Sequence, residues 1–531
     1  MPRPRSRAGG GTWDEAWPLW LAAVGVGLLL LLPPSYLLIR SLEAPGVAGA
    51  VLLAPGTWAA AGRTLLLAAA VGAASSALGL PLAWLTLHTN LPRRRLWLVL
   101  VALPLVLPSY ISAWLFAAAL GPRGLLWQGI GPALGLSRLP SVYGFWGAFI
   151  VLTLCAYPYS LLVIRAAWTR LDGSLEAAGR SLGLGPWACF RRVTWPQLRP
   201  AVAGGALLAA LYVLRDFGAV AIMRYDTLAR VIYLAYGSAF DRHTAAVLGL
   251  LLVAMALGLV SLERGASRRA RLHRAGSHGG RPIAPVALGP WRPVALACCA
   301  ALTALAVVLP LGILSHWLLR GLAAGERLSG LWPALRGSVT AAALATVLTL
   351  VAALPGAWLT VRRPGHRARL LGRLSWTGQA LPPLVVALAL VFASTRLLPA
   401  LYQTLPLLLL AYVILFLPEA GSSLQTALRQ IHPALGEAAR TLGRRPTAVF
   451  RTVTLPLARP GLAAAAALVF LTCLRELPAT LILSPAGFST LSISIWSAVS
   501  EAYFARAALP ALVLVAVSAP PLAWLSLRGE A

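Results

Sequence analysis

Two short charged steps stand in apolar surroundings 260 residues apart, Arg215-Asp216 and Arg475-Glu476. An ionisable side chain at the centre of a membrane helix costs roughly 2.5–3.5 kcal/mol on the translocon scale, so such groups are candidates for a substrate pathway or a gate. The plainer alternative is snorkelling toward the interface, or pairing with a neighbouring helix. Arg215 lies 15 residues past Pro200 and Arg475 15 past Pro460. At about 1.5 Å per residue both sit about 22 Å along a helix. Equal depth in two copies points to matched sites beside a central path. Neighbours in sequence do not face each other on a helix, so Arg215 and Asp216 are not expected to pair. Tyr110 joins these four as a polar group able to line a path.

Little else in the chain is equipped for chemistry. All 45 basic residues are arginine. Without lysine there is no P-loop lysine for nucleotide phosphates and no Schiff-base lysine for PLP. Cys155, Cys189, Cys298, Cys299 and Cys473 lack zinc or redox spacing and read as small core residues. The 7 histidines are scattered, and His273 and His278 have no metal-ligand companions. The 15 acidic residues are dispersed, with no paired-carboxylate site or triad. The chain is therefore expected to be no enzyme and to bind no cofactor itself, and no metal ligand is assigned.

The elements that position these residues follow from composition. The 531 residues are 59% hydrophobic and 11% charged, with a mean hydropathy of +0.78. A soluble globular chain is about 45–50% apolar and about 25% charged. An all-α polytopic membrane protein is the expected fold. A membrane helix needs about 20 apolar residues, and twelve segments qualify: 17–39, 64–87, 97–120, 143–164, 201–223, 244–262, 293–319, 337–361, 374–394, 405–428, 461–483 and 507–527. Placing the N-terminus inside puts 31 arginines in inner segments and 12 at outer ones, with Arg215 and Arg475 inside spans. This alternation obeys the positive-inside rule and places both termini in the cytoplasm. It also accounts for the net charge of +30 without nucleic acid; the lipid bilayer is the partner of the basic face. Outer loops near 121–142, 224–243 and 484–504 are long enough to carry re-entrant or surface helices.

Residues 175–200 and 435–460 align without a gap and share 14 of 26 positions. The identities include Gly183/Gly443, Pro186/Pro446, Phe190/Phe450, Pro196/Pro456 and Pro200/Pro460. Both copies follow the fourth span of a half, so the halves are parallel repeats, and parallel repeats place a pathway at their interface. The division is 1–262, a basic cytoplasmic linker 263–292, and 293–531, with repeated loops at about 169–200 and 429–460. Each loop reads as a short helix, a glycine break and a second short segment ending in proline. A purely electrostatic anchor would need charge but no fixed glycine-to-proline spacing of 13 residues. The loops are expected to be shaped docking surfaces.

The second copy, with Glu437-Ala438-Ala439, Gly443 and Leu455-Pro456, resembles the hallmark loop of the permease subunits of binding-protein-dependent ABC importers. In the first copy Glu176 sits one residue early, Ala177 stands at the expected glutamate position, Ala178 and Gly183 match, and Trp195 precedes Pro196. The resemblance implies a type I importer permease of the bacterial inner membrane. It implies that the loops are coupling helices seated on two copies of a separate ATPase, which holds ATP and magnesium. A periplasmic substrate-binding protein would deliver cargo. Asp216-Phe217-Gly218, Tyr225-Asp226-Thr227, Arg475 through Thr480, and Gly487 through Leu491 resemble the fused ferric-iron branch, with Leu107-Pro108-Ser109-Tyr110 a looser match. Ferric iron is the cargo this implies. Thiamine, phosphonate and polyamine permeases share the layout. A secondary transporter would not need the duplicated loop, and a polytopic membrane enzyme would need convergent acids.

Overall fold

The computed structural model describes residues 17–528 except 134, 136, 238–240, 273–285 and 327–329. Residues 273–285 of the linker, with His273 and His278, lie outside the described residues. Among the described residues the chain is helical, with one isolated β-bridge between Thr89 and Val286. Ten helices among the described residues are long and apolar enough to cross a membrane. Arg94–Val106 and Ser109–Gly129, apolar enough only as a pair, meet at 92° and form a bent span or a re-entrant loop. The break falls where Pro104 and Pro108 remove backbone donors. Its counterpart in the second half is the 15-residue apolar helix Pro383–Leu397, which starts at Pro382-Pro383. The three loops expected to be outer carry the short helices Leu125–Ile130, Leu228–Gly237 and Leu491–Ser500.

The chain forms two compact units. The larger comprises Pro34–Thr340, Ala380–Leu408 and the segment from Leu474 onward. Its centre is the Pro55–His88 helix against Phe145–Trp168 and Trp195–Arg215. Small residues bring these backbones together. A Cβ on Gly72 would stand 2.6 Å from the Ala206 carbonyl oxygen, and one on Gly79 would stand 2.8 Å from the Leu161 nitrogen. Lipid tails are as apolar as leucine, so close backbone approach and interhelical hydrogen bonds drive such packing. Ser76 Oγ bonds the Val202 carbonyl at 3.2 Å. The end of the linker is strapped to the same centre: Val286 N–H donates to His88 O at 2.7 Å and Asn90 N–H to Val286 O at 3.2 Å. Leu288 N–H donates to Asn90 Oδ1 at 3.0 Å.

The smaller unit comprises 17–33, Ala341–Gln379 and Leu409–Cys473. Ala23, Leu359 and Leu371 form an apolar cluster there, flanked by Leu19 and Trp20. Arg362 Nη2 donates to the Ile431 carbonyl at 3.1 Å and the Leu428 carbonyl at 3.4 Å. Both acceptors lie at the end of the Leu405–Gln430 helix, whose last carbonyls have no intrahelical donor.

Candidate functional site

Each repeated loop is built on the same backbone. In the first, Gly173–Ser181 is helical, and Asp172 caps it by accepting from Ser174 N–H at 2.9 Å. The chain reverses at Gly183, φ +84°. The second arm runs through Pro186–Cys189 and a π-helical turn, Phe190–Thr194, into the long helix Trp195–Arg215. In the second copy Pro433–Thr441 is capped by His432, Gly443 has φ +78°, and Pro446–Val449 leads through the π turn Phe450–Thr454 into Leu455–Leu474. A Cβ on either reversing glycine would meet nothing within 4 Å. Their requirement is therefore conformational: the left-handed region costs an L-residue roughly 1–2 kcal/mol.

The second arm does not end at proline, as its composition suggests. It continues through Pro196 and Pro200, or Pro456 and Pro460, into the fifth span of each half. A proline inside a helix lacks the N–H and presses on the carbonyl four residues back. The π turn relieves this by adding a residue just before Pro196: Trp195 N–H reaches back five residues to Phe190 O, and Leu455 N–H to Phe450 O.

The predicted coupling residues fall in different places on this frame. Glu176 is half-buried and ion-paired with Arg180 at 2.9 Å. Ala177, Ala178, Glu437 and Ala438 are exposed, Ala439 and Pro456 are half-buried, and Pro196 is exposed. Leu182 and Leu442, beside the reversing glycines, are each 83% exposed, and Trp187 is 72% exposed. Phe190 and Phe450 anchor the second arms on tryptophans, with ring centroids 6.2 Å from Trp168 and 5.5 Å from Trp358.

The five predicted pathway residues lie together in the larger unit. Two spans read as continuous from composition are broken there. Trp195–Arg215 stops and restarts at Gly218–Ile222; Leu455–Leu474 stops and restarts at Pro478–Leu483. An acid caps each restart: Asp216 Oδ1 accepts from Ala219 N–H at 2.9 Å and Glu476 Oε1 from Ala479 N–H at 3.1 Å. Ser109 Oγ donates to the other oxygen of Asp216. Asp216 is thus held by Ser109 and Ala219 rather than by Arg215. Tyr110 is buried against Gly218, where a Cβ would stand 2.5 Å from its own. Arg475 and Glu476 lie within charge range of Tyr110, and Arg215 and Asp216 within charge range of Glu476. The Phe217 and Trp496 rings meet at a 43° tilt, centroids 5.4 Å apart.

Arg475 also donates through Nη1 to the Leu105 carbonyl. Leu105 lies in the tight turn Leu103–Val106, and the residue three beyond it is Pro108, which has no N–H. A side chain from the other half replaces the missing local donor. Sequence reasoning named Ser109 only as part of a loosely matching motif, and missed the Leu105 carbonyl and Trp496. Only the acid placed just before Gly218 or Pro478 signals the two capped restarts. The short helices Leu228–Gly237 and Leu491–Ser500 are anchored alike, Leu228 N–H to Thr64 Oγ1 at 2.9 Å and Leu491 N–H to Ser338 Oγ at 2.7 Å.

Two copies of one exposed loop, each leading into an apolar helix that breaks and restarts, are the layout of a membrane transport subunit. The chain belongs to the family of binding-protein-dependent transport system inner membrane components, which matches it twice, over residues 75–264 and 345–525. It is thus an integral inner membrane protein and a transporter subunit, not an enzyme, and its family works with an ATPase and a periplasmic binding protein. It is similar to the Fe(3+)-transport system permease protein FbpB 2 of Haemophilus influenzae, at 33% identity over 95% of this chain and 97% of that one. It is 24% identical to the ferric transport system permease protein FbpB of Actinobacillus pleuropneumoniae, over 86% of this chain and 69% of that one. A probable molybdenum ABC transporter permease of Haloferax volcanii matches at 32% over 49% of this chain and 95% of its own length.

Proposed function

We propose that the chain forms the translocation pathway of an ATP-driven importer for ferric iron. The observation that carries this reading is end-to-end similarity to a Fe(3+) permease across both halves; the molybdenum permease of Haloferax volcanii answers to about half of the chain. The halves are 1–262 and 293–531, joined by 263–292, with both termini in the cytoplasm as the arginine distribution supports. Two ATPase copies seat on the loops at about 169–200 and 429–460, whose coupling residues are Glu176, Ala178, Gly183 and Pro196 in one and Glu437, Ala438, Ala439, Gly443 and Pro456 in the other; Glu176, paired with Arg180, shapes its loop rather than touching the partner. ATP and magnesium stay on those copies, and this chain binds no cofactor.

Cargo passes the broken spans. Asp216 and Glu476 offer carboxylate oxygens, and Ser109 and Tyr110 hydroxyls, which is the hard donor chemistry a highly charged cation accepts. Arg215 and Arg475 balance the acids between cargo passages, and the Arg475 bond to Leu105 closes the gate by tying the second half to the broken third span. Nucleotide-driven rocking of the halves then alternates access. The test is uptake of radiolabelled ferric iron by cells carrying or lacking the chain, with molybdate and sulfate uptake measured in parallel. Loss of iron uptake alone is expected; loss of oxyanion uptake with iron intact overturns the iron reading.

A further inference from the structure

The two coupling helices share a backbone but turn different residues outward. Gly179 in the first faces the second arm of its own loop: a Cβ there would meet Cys189 Sγ at 3.3 Å, with Leu184 and Val193 close by. Glu176, one turn earlier, lies on that same inner face. Its carbonyl accepts from Cys189 Sγ at 3.6 Å, and its carboxylate is held by Arg180 at 2.9 Å. In the second loop the matching inner position is Gly436, whose Cβ would meet Val449 Cγ1 at 3.7 Å; Val449 stands where Cys189 does. Glu437 is the next residue, about 100° further around the helix. It is exposed, and none of the ion pairs among the described residues involves it. The position that matches it in the first loop is the exposed Ala177.

The acids of the first loop are therefore spent internally, Asp172 as a cap and Glu176 on Arg180. Glu437 is the sole acid between Arg429 and Pro460, beside six arginines. We infer that the two sockets of the ATPase pair receive unequal plugs: Glu437 forms an ion pair with a basic side chain of one copy, while the first loop docks through Leu182 and Trp187 and makes no such pair. The inference rests on the assignment of these loops to the ATPase. It identifies Glu437 as the charge contact and Glu176 as a positioning residue that holds the first loop in shape.

The test uses the purified full-length chain in nanodiscs with its ATPase, measuring ATPase binding across a salt series and ATP hydrolysis by the complex. Glu437→Gln is expected to weaken binding about tenfold at low salt and to flatten the salt dependence. Glu437→Asp should retain most of that dependence, which separates charge from folding. Glu176→Gln should change binding less than about twofold and leave the salt slope intact, as expected of a solvated intrahelical pair. Ala177→Glu should steepen the slope by placing a second acid outward. Equal losses of salt slope in Glu176→Gln and Glu437→Gln, or an unchanged slope in Glu437→Gln, would overturn the inference. No ATPase binding by the unaltered chain would instead overturn the assignment of the loops.

Discussion

The loops at 173–194 and 433–454 are one backbone written twice with different surfaces. Gly183 and Gly443 take the same left-handed turn, Phe190 and Phe450 open the same π turn, and both second arms run through two prolines into a span. Yet the caps differ, Asp172 against His432, and the outward residue is Ala177 in one and Glu437 in the other. The reversing glycines and the aromatic that opens the π turn are kept between the copies, while the cap and the outward residue vary. The broken spans repeat the lesson. Both restarts are capped by an acid, but Gly218, packed on Tyr110, stands in one where Pro478 does in the other.

The sharpest way to break the comparison is at the turns. Gly183→Val and Gly443→Val should each abolish copurification of the ATPase, because a β-branched residue is strongly disfavoured at positive φ; a defect in only one would mean the shared turn is not shared in role. Next comes the packing difference. Gly218→Val should cut iron uptake more than about tenfold, since a Cβ 2.5 Å from Tyr110 forces a shift in a packed interior, whereas Pro478→Ala should be tolerated. Uptake assays on both variants decide this. Arg475→Ala leaves the Leu105 carbonyl without its donor, at about 1–3 kcal/mol for an orphaned buried group. It should lower the melting temperature in detergent more than Arg215→Ala does.

The smallest effect separates the caps. The Ser174 N–H holds the Asp172 carboxyl below its usual range. A depressed carboxyl stabilises above the unfolded value of 3.8 and loses that contribution as pH falls through its folded value. His432 caps through a ring nitrogen at 3.3 Å. Asp172→Ala should quicken amide exchange at Ser174 more than His432→Ala does at Ala434, because a carboxylate acceptor makes the stronger bond. Equal losses of protection would show that the caps are equivalent.

How much of this was legible depends on range. The repeat is explicit in residues 175–200 and 435–460, and the one-residue offset of Glu176 against Glu437 already implies a turn of about 100°. The spans follow from apolar length alone, but their breaks do not: Leu214 to Val220 and Leu474 to Ile482 stay apolar enough to read as helix, and the capping bonds of Asp216 and Glu476 are what end them. Helices that pass through Pro196 and Pro456 escape a local reading because proline counts as a terminator until a π turn is allowed for. The Arg475 contact with Leu105 spans 370 residues, and nothing near either residue announces it. Glu176 carries its sequence signal, yet only the packing of Gly179 on Cys189 shows that it turns inward.

The strap at Val286 has an implication for how the joined chain tolerates change. Its two central bonds run main chain to main chain, through Val286 to His88 and Asn90, and only Asn90 adds a side chain. A mooring of that kind ignores which residue occupies position 286, so spelling there is free to drift across generations. Spacing is not: a single residue inserted or deleted between Val286 and Leu288 would carry the Leu288 N–H away from Asn90.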